Sequence, residues 1–204
     1  MQYSELLYLG TNLYQIEISL DGRRAFVSQS KGPATIFYIS INDNCLTLLN
    51  KTSFGDELYG LQIIGDNSLL VGSKNSIYRF DFQCKHLYLH SSVYNSIESD
   101  TYYSISINPH NKWQGFFTSK LTNSFFHFEF NGISLNPTGN DFQIKNNPRE
   151  LQFNKKGDKI IAVTEDGVLN LITICKNHTC SNDTCYKVLE CSKCFPNKTY
   201  DMQG

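Results

Sequence analysis

Alanine is almost missing from this 204-residue chain: it stands only at Ala25, Ala34 and Ala162. Tryptophan occurs once, at Trp113, whereas Asn, Phe and Tyr number 20, 14 and 12. That mixture is poor in helix formers and rich in strand and turn formers, so the expected class is all-β. Charge is also scarce: Asp, Glu, Lys and Arg make up 18% of the residues, against about 25% in ordinary soluble domains. The net charge is -1, and Arg23-Arg24 and Lys155-Lys156 are pairs in turns, not the clustered cations that neutralise phosphates; no nucleic-acid partner is expected. No stretch approaches the roughly 20 apolar residues of a membrane helix, so no membrane span is expected. Met1–Glu5 lacks the basic start and apolar centre of a signal peptide. The nucleophile elbow G-x-S-x-G, the P-loop and G-x-G-x-x-G are all missing.

What the chain does have is a repeat. In Tyr14–Val27, Ile16 and Ile18 alternate with Glu17 and Ser19, Asp21-Gly22 supplies a turn that takes positive φ, and Ala25-Phe26-Val27 begins a second strand. The pair Ile16-x-Ile18 recurs as Leu61-x-Ile63, Ile105-x-Ile107 and Leu151-x-Phe153, at steps of 45, 44 and 46 residues by subtraction. Turns follow at Gly65-Asp66-Asn67, Pro109-His110-Asn111 and Lys156-Gly157-Asp158. Second strands are expected around Leu69–Val71, Gly115–Phe117 and Ile160–Val163. Third strands are expected around Ile36–Ile39, Ile77–Phe80, Phe125–Phe128 and Val168–Ile172. The first three copies add a fourth strand around Leu46–Leu48, Leu87–Leu89 and Ile133–Leu135, while the last copy loses its own to a cysteine-rich stretch. Four short strands per repeat of this length describe a β-propeller blade. Residues 1–174 are therefore expected to form about four blades of an incomplete ring, and 175–204 a short cysteine-rich, truncated segment. Glu5–Leu9 reads as the outer strand of a preceding blade, or as the strand that closes the ring.

Ser19-Leu-Asp21-Gly22-Arg-Arg-Ala25-Phe26-Val27 resembles the YVTN and LVIVD families of β-propeller repeats, over residues from about 12 to 174; later copies keep the periodicity and drop the Asp-Gly turn. WD40 repeats match less well, because Trp113 lies near the start of a second strand and not at the end of a third. The resemblance implies that the Ile16-type strand of each blade is innermost. It further implies a scaffold that holds partners on the loops of one face.

The tail has a different character. Cys175, Cys180, Cys185, Cys191 and Cys194, five of the seven cysteines, fall within 20 residues. Disulfides are the usual source of order for such a segment outside the cytosol. Zinc is the competing reading, but only Cys191 and Cys194 have ligand spacing, and His178 with Cys180 or Cys185 would have to complete the set. Glycosylation sequons begin at Asn50, Asn177, Asn182 and Asn197. Cys191-Ser-Lys-Cys194-Phe-Pro-Asn-Lys-Thr-Tyr200 also resembles the opening of a furin-like, growth-factor-receptor-type repeat, with Asn197 where that family has glycine. Propeller repeats followed by furin-like repeats resemble large surface proteins of single-celled eukaryotes. Cys45 and Cys84 occupy equivalent turns of successive blades and are expected to be unpaired.

His86, His90, His110, His127 and His178, with the turn residues Asp21, Asp66, Asn111 and Asp158, are the groups a hydrolytic or metal site would draw on; turn hydrogen bonding accounts for the latter group. The expectation is a non-enzymatic binding scaffold, an extracellular or cell-surface glycoprotein, with a protein or glycan partner on one propeller face and neither cofactor nor metal. The alternatives are a cytoplasmic propeller adaptor and a lactonase-like hydrolase.

Overall fold

The computed structural model describes residues 7–176, except 32, 43–44, 96–99, 140 and 145, together with 186–190. It is all-β, with four antiparallel sheets arranged as propeller blades and no helix among the described residues. Blade 1 contains β1 (Leu13–Ile18), β2 (Arg24–Gln29), β3 (Thr35–Asn42) and β4 (Cys45–Ser53). Blade 2 contains β5 (Leu58–Ile64), β6 (Ser68–Ser73), β7 (Ser76–Gln83) and β8 (His86–Asn95). Blade 3 is formed by β9 (Ile105–Asn108), β10 (Asn111–Ser119), β11 (Ser124–Phe130) and β12 (Leu135–Pro137), with β13 (Phe142–Gln143) also paired to β11. In blade 4 the order is β14 (Pro148–Phe153), β15 (Lys159–Thr164), β16 (Leu169–Lys176) and β17 (Tyr186–Glu190). In each blade the strands pair in sequence order, which puts the Ile16-type strand at one edge of its sheet, next to the corresponding strands of the other blades.

Two details differ from the sequence reading. The fourth copy keeps its outermost strand: β17 pairs with β16 from Ile172–Glu190 to Lys176–Tyr186, and its residues come from within the cysteine-rich stretch. Ile133 is not in a strand, because Asn131 Oδ1 accepts from the backbone N–H groups of Ile133 and Ser134 and folds the chain into a turn before β12 begins.

Each turn between first and second strands is built from local chemistry. In blade 1 the Ser19 hydroxyl donates to Asp21, Asp21 Oδ1 accepts from Arg23 N, and Gly22 takes φ 69°. Such a backbone angle is readily reached by glycine and carries a steric penalty for most other residues.

The core lies between blades. Strand pairing gives every sheet two apolar faces: one carries the Ile16-type pair, the other second-strand residues such as Phe26, Leu70 and Phe116. Phe26, Ile36 and Tyr38 of blade 1 pack on Leu61, Leu69, Val71 and Phe80 of blade 2. Leu70 and Ile77 of blade 2 meet Ile105, Phe117 and Phe128 of blade 3, and Phe116 and Phe125 of blade 3 meet Leu151, Ile160, Ala162 and Ile172 of blade 4. Blades 2 and 3 approach so closely that a Cβ on Gly60 would lie 2.8 Å from Ser104 Cα, and one on Gly72 2.2 Å from Tyr102 O.

Candidate functional site at the mouth of the central channel

Counting back two residues from the Ile16-type position of each blade gives Tyr14, Tyr59, Tyr103 and Arg149. All four gather at the end of the channel where the inner strands begin. The Tyr14 and Tyr59 rings meet edge to face at 5.2 Å, Tyr59 and Tyr103 likewise at 5.1 Å, and Tyr14 stacks on Tyr103 at 6.3 Å. Arg149 lays its guanidinium over the Tyr103 ring at 4.4 Å, and Lys120, from the loop between β10 and β11, places its ammonium 5.7 Å from the same ring. Arg149 also donates to Glu165, and its positive charge acts on the Tyr14 hydroxyl. Ring pairs of this geometry contribute about 0.5–1.5 kcal/mol each beyond their buried area, and a guanidinium over a ring about 0.5–2 kcal/mol. The mouth is therefore held rigid by its own side chains. Burial pushes the Tyr14 hydroxyl up to about 12, so near neutrality it keeps its proton.

Below the mouth the channel wall is polar, and it carries a relay from blade to blade. Gln15 Oε1 accepts from Leu61 N at 2.7 Å, Gln62 Oε1 from Ile107 N at 3.1 Å, and Ser104 and Ser106 Oγ from Leu151 N and Phe153 N at 3.2 and 3.3 Å. A side chain on one inner strand thus satisfies the backbone of the next, which leaves fewer orphaned donors at the axis. Glu17 joins the relay by accepting from Gln62 Nε2 at 2.8 Å. Burial pushes the Glu17 carboxyl up to about 7, the Glu150 charge adds to that, and the backbone N–H of Ile63 works against it. Burial likewise raises Glu150, whose Oε1 accepts from Ser104 Oγ at 2.9 Å.

The residues singled out from sequence are placed elsewhere. Asp21, Asp158 and Asn111 serve their own turns: Asn154 Nδ2 donates to Asp158 Oδ1, and Asn111 Oδ1 accepts from Trp113 N. His86 and His90 are exposed on β8, His110 is exposed in a turn, and His127 is buried against Phe116 with Nδ1 2.7 Å from Thr138 Oγ1. These four histidines are spread over two blades and do not converge, and no group of three or more His, Cys, Asp or Glu positioned to hold a metal occurs among the described residues. Cys45 and Cys84 are exposed free thiols. Asn50 lies half-buried on β4, where Thr52 of its own sequon donates to its Oδ1. The backbone of Cys175 belongs to β16; Cys180, Cys185, Cys191, Cys194, Asn177, Asn182, Asn197 and His178 lie outside the described residues. No helix among the described residues is long and apolar enough to cross a membrane.

No protein-family model matches the chain, and no curated protein does either. Solved structures do. A protein from Lactobacillus plantarum superimposes with TM-score 0.70 at 11% identity, over 90% of this chain and 58% of its own. The Myceliophteria thermophila Cps50 (Swd1) β-propeller domain gives TM-score 0.59 at 12% identity, over 80% and 54%. A candidate 6-phosphogluconolactonase from Bacteroides fragilis gives TM-score 0.63 at 16% identity, over 85% and 55%. The fold is a β-propeller, and the chain spans little more than half the length of these three proteins.

The sequence reading missed the mouth cluster. Its signal lay in the same register as the repeat: Tyr14, Tyr59, Tyr103 and Arg149 keep the spacing of 45, 44 and 46 residues.

Proposed function

We propose that this chain is a non-enzymatic interaction scaffold that holds a protein or glycan partner over the channel mouth. The observation that carries the reading is the Tyr14–Tyr59–Tyr103–Arg149 cluster. Tyrosine and arginine dominate the energetics of binding surfaces because they offer large, stiff contact area with a polar tip. Here their rotamers are fixed before any partner arrives, which lowers the entropy cost of association. The compartment that fits the cysteine-rich stretch and the sequons at Asn50, Asn177, Asn182 and Asn197 is the cell surface or the extracellular space. The chain is presented to a glycan array and to extract from its native source, beside a Tyr59→Ala/Arg149→Ala variant with an unchanged β-sheet circular-dichroism signal. Retention of a ligand by the native chain that drops tenfold or more in the variant supports the reading; equal retention overturns it. Occupied sequons and bridged cysteines in protein from the native source support the surface assignment, and bare asparagines with five reduced thiols in the tail move the scaffold to the cytoplasm.

The lactonase-like alternative has one group in its favour: Glu17, a channel carboxyl held near neutrality and so suited to take or give a proton. Lactone hydrolysis lost in Glu17→Gln would transfer the function to that reading.

A further inference from the structure

A second recess lies at the other end of the sheets. β5 and β9 begin at the channel mouth and end on the opposite face, and there the joint between blades 2 and 3 opens into a cleft of about 180 Å³. Ile64 and Phe130, both buried, line its inner part. Arg79 of blade 2 reaches across the joint: its Nη1 donates to the Gly132 carbonyl of blade 3 at 2.5 Å, while Nε donates to Asp81 Oδ1 at 2.8 Å and Nη2 to Ser68 Oγ at 3.2 Å. The two walls are thereby tied to each other before any ligand arrives.

Other polar side chains on the rim stand outside that network. The backbone carbonyls of Asp66 and Asn67 accept from Arg24 Nη1 and Phe82 N, but their side chains, exposed in the turn between β5 and β6, make no hydrogen bond or ion pair among the described residues. Lys112 likewise makes no ion pair among the described residues, and its ammonium lies 5.0 Å from the centre of the Trp113 ring. Trp113 is 46% exposed, and its indole leans on Phe130 at 5.9 Å and 33°. Turn chemistry accounts for Asn111, whose Oδ1 accepts from Trp113 N, but not for a large aromatic ring left open to water beside a cleft.

We infer that this cleft binds one neutral pyranose ring, such as the end residue of a glycan, with a C–H face on the Trp113 indole and hydroxyls on Asp66, Asn67 and Lys112. The cleft is smaller than the roughly 300–1,000 Å³ of pockets that take drug-sized molecules, so a single ring suits it. A pyranose offers an apolar C–H face and a rim of hydroxyls that both donate and accept. The indole matches the first, and a carboxylate, an amide and an ammonium match the second. The charges favour a neutral ligand. Arg79 is already paired with Asp81, which leaves Lys112 and Asp66 with opposite signs; an ion is drawn by one and repelled by the other, whereas hydroxyls use both. The cleft is separate from the Tyr14–Tyr59–Tyr103–Arg149 cluster, and it stands or falls independently of the partner proposed for the mouth.

Trp113 is the only tryptophan of the chain, so its fluorescence, excited apart from the tyrosines, reports on this cleft alone. The full 204-residue chain is titrated with the methyl glycosides of glucose, galactose and mannose. At least one is expected to shift the emission saturably, with a dissociation constant on the order of 1 mM, ordinary for a ligand of so few atoms. Asp66→Ala/Asn67→Ala keeps the reporter and should weaken the response tenfold or more with unchanged circular dichroism. Trp113→Ala, followed by saturation-transfer NMR on the sugar protons, should lose binding as well. Tyr59→Ala/Arg149→Ala should respond as the native chain does, which separates the cleft from the mouth. The inference is overturned if none of the three glycosides gives a saturable change, or if either cleft variant binds like the native chain. It is equally overturned if the mouth variant loses the response, or if glucuronate or glucosamine binds more tightly than methyl glucoside.

Discussion

Blades 2 and 4 turn the same kind of surface toward their successors, and only one of the two is covered. Leu70 and Ile77 are fully buried against Phe117 and Phe128 of blade 3, whereas their equivalents Ile161 and Leu169 face water. The alternation that writes an apolar face into a strand is local. Burial is not: it depends on a neighbour some 45 residues further along the chain. In a repeat array each unit acquires most of its stability from the next one.

Truncation of matched residues breaks that comparison most sharply. Phe116→Ala removes a ring buried between blades 3 and 4 and should cost about 3–5 kcal/mol in denaturant unfolding, while Ile161→Ala, its equivalent on the open face, should stay within about 0.5 kcal/mol in the monomer. Equal losses at the two positions would mean that the faces are equally packed.

The second prediction concerns the carboxyl that blade 2 buries. Glu17 titrates near 7 in the folded chain and near 4.3 when unfolded. Its folded value is raised, so the stability linked to its proton is complete below about pH 4 and disappears as pH rises through 7. The swing is on the order of 3 kcal/mol. Thermal melts should therefore show a midpoint that falls between pH 5 and 8, and Glu17→Gln should flatten the fall while keeping the acceptor for Gln62. A slope unchanged in Glu17→Gln would assign the dependence to another group.

The smallest expected difference lies in the relay. Ser106→Ala strips the acceptor from Phe153 N and should destabilise by about 1–2 kcal/mol, because a buried donor is left without a partner. Gln152→Ala, at the matching position on the open face, should be near neutral, because Gln152 is exposed to water. Chemical denaturation of the two variants side by side gives the comparison directly.

The four-blade architecture was legible because period and alternation are carried by large residues that a turn sequence separates, as in Ile16-Glu17-Ile18 before Asp21-Gly22. The inner strand of each copy fell where the spacing put it. β17 was not legible: Tyr-Lys-Val-Leu-Glu at 186–190 is short, lies 13 residues beyond Thr173 by subtraction, and sits among cysteines that suggest another kind of order. The exposure of Ile16 and Ile18 was equally hidden, since a strand's own sequence does not say whether a sheet lies against it. The mouth cluster escaped for a different reason. Tyrosine before an apolar pair reads as the flank of a strand, and only the four-fold superposition shows that three of these rings and Arg149 occupy one location.

Gly60 and Gly72 have a bearing on curvature. With no side chain at either position, the backbones of blades 2 and 3 come within contact distance near the axis, and the wedge between the two sheets is narrow at its tip and filled by Phe117 and Phe128 further out. A methyl group at either glycine would push the inner edges apart while leaving the outer ones in place, and so make the sheets more nearly parallel. The angle turned per blade, and with it the number of blades in a full circle, is thus set by the bulk of a few inner residues as much as by the sheets themselves.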